Sequence, residues 1–309
     1  MRTRATTLLA VLILAVLAAL VVGCQRGGEG EGGQRIGLSV STLNNPFFVS
    51  LRDGAQEAAD EAGVELVISD AQNDTAQQQD DVQNFISQQV SAILVNPVDS
   101  DAVVPAVEAA NDAGIPVIAL DRKASGGEVA TTIASNNVQG GRMDGEELIR
   151  LVGSGNVAQL EGISGTDPAR DRGQGFQEAI DAQNSIEVAA SQTAKFDRAE
   201  GLNVTENILQ ANPDIKGIFA QNDEMALGAV QALGDQAGDE VKLVGFDGSE
   251  DALNAIQDGT MNATIAQQPD KIGSAGVENA MSVIEGESVE ENVPVEVNLV
   301  TPDNVSDFL

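Results

Sequence analysis

The chain has 309 residues but no histidine, no tryptophan and no tyrosine, and its one cysteine is Cys24. Without histidine there is no Ser-His-Asp triad, no Cys-His dyad, no imidazole metal site and no zinc finger. Catalysis would fall to carboxylates, lysine or serine. No Gly-rich phosphate loop supports nucleotide binding, and no metal or cofactor is expected. A single cysteine allows no intramolecular disulfide. Cations are scarce as well: 16 Lys and Arg stand against 48 Asp and Glu, a formal net charge of -32. A nucleic-acid binder needs a basic face, and this balance opposes one. The acids run along the whole chain instead of forming a tail. Such a composition resembles that of halophilic proteins, in which salt screens self-repulsion.

The N-terminus carries Arg2 and Arg4, then an apolar stretch from Leu8 to Val22, then Gly23-Cys24. The stretch falls short of the roughly 20 residues that span a bilayer comfortably and has the build of a secretory signal. Val21-Val22-Gly23-Cys24 resembles the lipobox of bacterial lipoproteins. That resemblance implies that residues 1–23 are a signal peptide and that Cys24 is lipidated and becomes the new N-terminus. Losing Arg2 and Arg4 would take the charge from -32 to -34. Residues 24–35, rich in Gly and Glu, read as a flexible tether.

Beyond the tether, four short apolar runs end in polar residues. Ala92–Val95 leads to Asn96, Val117–Leu120 to Asp121 and Arg122, Ile218–Ala220 through Gln221 to Asn222, and Leu243–Phe246 to Asp247. Short apolar runs bounded by turn residues read as parallel strands buried on both faces. Ligands of open α/β sheets bind beyond the carboxyl ends of such strands, so these ends collect amides, carboxylates and a guanidinium about a small polar ligand. Further strands are predicted at Ile36–Val40 and Val64–Ile68, and near Val157–Leu160, Ile186–Ala190 and Ala263–Ala266, with helices between them. The β-α alternation predicts an α/β protein of parallel sheets with helices on both faces. Two strand ends fall in each half, which points to two lobes facing one ligand. Breaks near Ser135-Asn136-Asn137 and Gln267-Gln268-Pro269 suggest crossings between lobes and hence a hinge.

Several motifs have a local explanation beside a functional one. Asn45-Pro46 suits a helix start, but two adjacent phenylalanines, Phe47 and Phe48, could not both face the core, which favours ligand contact for them. Asp121-Arg122 could be a surface ion pair, worth about 0–1 kcal/mol. Arg170-Asp171-Arg172 opens a predicted helix, where cations oppose the dipole. Asn222-Asp223 could cap a helix and Asp247-Gly248 could be a turn. Asp70–Asp74 lacks the Gly and terminal Glu of a calcium loop and reads as solvated.

Taken together, these segments resemble a known family. Ser41-Thr-Leu-Asn-Asn-Pro-Phe-Phe-Val-Ser-Leu51, Asp99-Ser-Asp-Ala-Val103, Gly127-Glu-Val, Phe219-Ala-Gln-Asn-Asp-Glu-Met-Ala-Leu-Gly228, Val244-Gly-Phe-Asp-Gly248 and Ala263-Thr-Ile-Ala-Gln267 are similar to the type I bacterial periplasmic sugar-binding proteins, on their ribose-binding branch. The resemblance runs from about Ile36 to Val300. It implies two Rossmann-like lobes joined by a multi-strand hinge, 36–135 plus 268–296 and 136–267 plus 297–309. It implies a sugar ring held between Phe47 and Phe48 of one lobe and Phe196 of the other. Hydrogen bonds would come from Asn45, Asn96, Asp121 and Arg122 on one side, and from Arg172, Asn222, Asp247 and Gln267 on the other. The expected role is extracytoplasmic binding of D-ribose, or a related sugar such as allose, by a monomer held to the membrane only by its lipid. It would deliver the sugar to an ABC permease and its ATPase. A sensor for a chemoreceptor or membrane kinase is the alternative. A glycosidase using Asp121 and Asp247 is disfavoured, because Arg122 would keep Asp121 ionised where a general acid must hold a proton.

Overall fold

The computed structural model describes residues 33–309; the signal segment, Cys24 and most of the tether lie outside the described residues. No helix among the described residues is long and apolar enough to cross a membrane.

The first sheet contains β1 (Arg35–Val40), β2 (Glu65–Asp70), β3 (Ala92–Val95), β4 (Val117–Leu120), β5 (Thr131–Ser135) and β11 (Asn292–Val295), in the order β11-β5-β4-β3-β1-β2. All its pairings are parallel. Side chains alternate across it with period two. Ile36, Leu38, Val40 and Leu94 pack beneath α1 (Pro46–Ala62) and α9 (Pro269–Ile284), while Ile93 and Val95 meet Val82, Phe85 and Val107 of α2 (Thr75–Ser87) and α3 (Val104–Asp112). Burial on both faces is why these strands read as unbroken apolar runs.

The second sheet repeats the plan with β6 (Gly155–Glu161), β7 (Ile186–Thr193), β8 (Ile215–Ala220), β9 (Lys242–Asp247), β10 (Ala263–Ala266) and β12 (Asn298–Val300), in the order β12-β10-β9-β8-β6-β7. Leu148 of α4 (Asn137–Val152) and Phe176 of α5 (Asp167–Asp181) cover one face with Phe219 and Val244. The other face is covered by α6 (Arg198–Ala211), α7 (Asp223–Leu233) and α8 (Glu250–Gln257), through Ile208, Ala226 and Ile256. Here β12 runs antiparallel to β10, so the sheet is not purely parallel. The chain passes between the sheets after β5, after β10 and between β11 and β12.

Local chemistry fixes the helix starts beside the cleft. Asn45 caps α1 by accepting from the Phe47 N–H at 2.9 Å, with Pro46 in the first turn. Asn222 caps α7 by accepting from Met225 N–H at 3.0 Å. Helix α5 begins at Asp167, after Thr166 and with Pro168 in the first turn, so the sequence expectation of a start at Arg170 is corrected. Arg172 therefore lies in the second turn and escapes most of the unfavourable dipole.

Candidate functional site

In each sheet the strand order reverses direction beside its first strand, at β1/β3 and at β6/β8, the switch points where open α/β sheets bind ligands. The two sets of strand ends face each other across a small cavity. Its walls are Asn45, Phe47, Phe48, Asp121 and Arg122 from the first sheet's side, and Pro168, Arg172, Phe196, Asn222, Asp247 and Gln267 from the second's.

Ten of the eleven residues that the sequence reading assigned to a ligand line this cavity. The eleventh, Asn96, is fully buried and has its amide committed to the protein. It accepts from Ser41 N–H at 3.0 Å and donates to the Leu120 carbonyl at 3.0 Å and to Asp121 Oδ2 at 3.4 Å. Its place is behind Asp121. Pro168, in the first turn of α5, also lines the cavity, and nothing in the sequence pattern marks it.

Phe47 and Phe48 overturn the expectation that both could not be core. Both are buried, both belong to the first lobe's apolar cluster, and both line the cavity. Their rings meet edge to face at 5.1 Å, so one aromatic unit serves core and cavity together. Opposite them stands Phe196, with the Arg122 and Arg172 guanidinium carbons 6.0 and 5.7 Å from its ring centre. Arg122 also lies over Phe48 at 5.1 Å.

The polar wall is charge-balanced. Arg122 Nε lies 3.6 Å from Asp121 Oδ2, and Arg172 Nη1 lies 3.7 Å from Asp247 Oδ1. Two cations and two anions give the cavity little net charge, which favours a neutral polar ligand over an ion. Burial pushes the Asp121 carboxyl up, against the pull of Arg122, Arg172 and the Asn96 amide. Burial likewise pushes Asp247 well above the usual carboxylate range, with Arg172 opposing and Asp223 reinforcing the shift. Arg122 and Arg172 are both lowered by burial.

Neighbouring residues hold these groups in place. Arg172 donates through Nε to Asn137 Oδ1 at 2.8 Å and through Nη1 to the Gln221 carbonyl at 2.7 Å, with its guanidinium 3.8 Å from the Phe246 ring centre. Gln267 Nε2 donates to Asp247 Oδ1 at 2.7 Å. Asp121, Lys195, Phe196 and Asp247 have φ of 63°, 54°, 58° and 136°, values that non-glycine residues adopt at some cost. Three buried polar atoms of the walls have no hydrogen-bond partner in the protein: Asp121 Oδ1, Arg122 Nε and Gln267 Oε1. An acceptor, a donor and an amide oxygen left open in one cavity match a polyhydroxyl ligand, whose every hydroxyl both gives and takes a hydrogen bond.

The sequence matches the periplasmic binding protein domain over residues 36–288. It is 50% identical over 293 residues to the ribose import binding protein RbsB of Escherichia coli, covering 94% of this chain and 97% of that protein. The fold superposes on an ABC transporter solute-binding protein from Bacillus halodurans with bound myo-inositol, with a TM-score of 0.85, 37% identity and coverage of 90% and 98%. It also superposes on a periplasmic solute-binding protein from Actinobacillus succinogenes with bound D-allose, with a TM-score of 0.84, 36% identity and coverage of 89% and 99%. The chain belongs to the periplasmic binding protein family, with the two-lobed α/β fold of its type I sugar-binding members.

Proposed function

We propose that this protein binds D-ribose, or a close relative such as allose, outside the cytoplasm and hands it to an ABC permease and its ATPase. The observation that carries the reading is the small, charge-balanced, phenylalanine-walled cavity with unpartnered polar atoms. The similarity to ribose import binding proteins supports it. In this reading the phenylalanine faces pack on the C–H faces of the sugar ring. Asn45, Asp121, Arg122, Arg172, Asn222, Asp247 and Gln267 exchange hydrogen bonds with its hydroxyls, and Asn96 holds Asp121 in register. The lobes are 36–135 plus 268–296 and 136–267 plus 297–309, and the chain crossings between them act as the hinge. Each lobe supplies half of the hydroxyl shell, so the shell is complete only in the closed form, and the permease reads that form.

The protein is a carrier and not an enzyme. It works as a monomer anchored through lipidated Cys24, and its acidic surface is suited to high salt. Calorimetric titration with D-ribose, D-allose, L-arabinose and D-xylose tests the assignment. D-ribose should bind 1:1 and raise the melting temperature by mass action. A saturating panel that leaves the melting curve unmoved in high salt refutes it, and turnover of a nitrophenyl glycoside refutes the carrier reading.

A further inference from the structure

The lobes also touch away from the cavity. Lys123 N–H, just past β4, donates to Asp167 Oδ1 at 3.0 Å, and Ser100 N–H donates to the Gly165 carbonyl at 3.2 Å. The two first-lobe loops are themselves tied together by Ser125 N–H to the Ser100 carbonyl at 2.9 Å. Gly165 has φ of 98° and sits so close to the Asp99 carboxylate that a Cβ there would lie 2.1 Å from Oδ2. None of Asp99, Ser100, Lys123, Gly165 and Asp167 lines the sugar cavity. Resting on the hinge reading above, we propose that Asp167 is a positioning residue, which with Gly165 latches the second lobe onto Ser100 and Lys123 and so sets sugar affinity without touching the sugar.

Asp167 is buried at this seam. The charged groups that act on it are Asp171 on its own helix and Asp121 and Arg122 from the first lobe. Burial, reinforced by Asp121 and Asp171, raises its carboxyl to about 6, although the Lys123 N–H pulls the other way. With the lobes apart, Asp167 loses the first lobe's cover and returns toward the ordinary value of about 3.9. Closing therefore takes up a proton between these two values. The sign follows: closure is hindered above pH 6, where a carboxylate must be buried, and eased as pH falls toward 4. Apparent affinity scales with the closed-competent fraction, so sugar should bind about tenfold more tightly at pH 5 than at pH 7.5 through this group.

The test uses wild type, Asp167→Asn and Asp167→Ala, titrated with D-ribose at pH 5, 6 and 7.5. Asn keeps the oxygen acceptor for Lys123 N–H but carries no charge. Asp167→Asn should bind at pH 7.5 about a hundredfold more tightly than wild type, with a flatter pH profile. Any slope that remains belongs to Asp121 and Asp247, whose carboxyls burial also raises. Asp167→Ala lacks the acceptor and should bind about two- to tenfold more weakly than Asp167→Asn. Equal pH slopes in wild type and Asp167→Asn, or equal affinity of the two variants, overturn the latch. Scattering on the sugar-free proteins decides the same point if ribose fails to bind. Acidification from pH 7.5 to 5 should compact wild type but not Asp167→Ala. An identical response overturns the latch, whereas absent ribose binding counts only against the sugar assignment.

Discussion

One methyl group should separate sugar binding from folding. A Cβ on Gly162 would lie 2.0, 2.3 and 2.4 Å from three carbons at the tip of the Phe196 ring. Ordinary carbon contacts are about 3.5–4.0 Å, so Gly162→Ala must drive that ring tip away by more than about 1 Å. The backbone on either side cannot yield easily. Gly162 N–H donates to Gln221 Oε1 at 2.8 Å, Thr193 Oγ1 donates to the Gly162 carbonyl at 2.7 Å, and Ala194 N–H donates to the Glu161 carbonyl at 2.8 Å. Lys195 and Phe196, both with positive φ, form a tight turn closed by Asp197 N–H on the Ala194 carbonyl at 3.0 Å. The side chain is what moves. Phe196 is half-buried, so it can swing toward solvent, and overpacking that would cost about 1–3 kcal/mol in a rigid core is relieved in the sugar-free protein. The cost reappears when the ring is needed against the sugar, as binding weakened about 5- to 150-fold. Calorimetry reads the affinity, thermal melting of the sugar-free variant reads the fold, and Phe196→Ala sets the floor. Binding within twofold of wild type would show that the ring is not held by Gly162. A melting loss as large as the binding loss would show that the damage is to the fold.

Three further outcomes follow from the same geometry. Asp247→Ala removes the acceptor of Gln267 Nε2 and the carboxylate nearest Arg172; ribose affinity should fall about ten- to hundredfold, and unchanged calorimetric affinity would remove Asp247 from the sugar shell. Asp144 is fully buried with both carboxylate oxygens unpartnered, and burial, with Asp223 adding, pushes its carboxyl well up. Its folded-state pKa exceeds the unfolded one, so stability is lost as pH rises between them; the melting advantage of Asp144→Asn should widen from pH 5 to pH 8, and parallel curves would refute this. A chain with net charge -32 repels itself over a range set by salt; its denaturant midpoint should rise from low to molar NaCl, and equal midpoints would refute an adaptation to high salt.

The legible parts of the sequence were those whose signal is local. Ala92–Val95, Val117–Leu120 and Ala263–Ala266 are buried on both faces, so composition alone marked them. Asn45-Pro46 announced the start of α1 through capping chemistry. Thr131–Ser135 gives no clear strand signal, because only alternate residues are fully buried and its polar threonines hide a short strand. Strand β12 escaped because three residues carry too little pattern, and its antiparallel pairing lies outside any β-α period. Phe196 had no local signal at all; it stands on a loop after an edge strand, and only the family resemblance named it.

Asn96 and Asn222 show where strand-end reasoning stops. Both are amides one or two residues beyond a buried apolar strand, and sequence treats them alike. In the fold, Asn96 has both ends of its amide committed to the protein in the layer behind Asp121. Asn222 also caps a helix through Oδ1, yet it stays on the cavity wall, and its Nδ2 has only a long 3.5 Å contact to the Phe196 carbonyl. A strand end places a polar group near the cleft. Whether that group remains available to a ligand depends on which of its donors and acceptors the rest of the chain consumes, and most of those partners lie tens of residues away. Asp121 Oδ1, Arg122 Nε and Gln267 Oε1 are left over by that long-range pairing. They are therefore the atoms on which the specificity for one sugar over its epimers should turn.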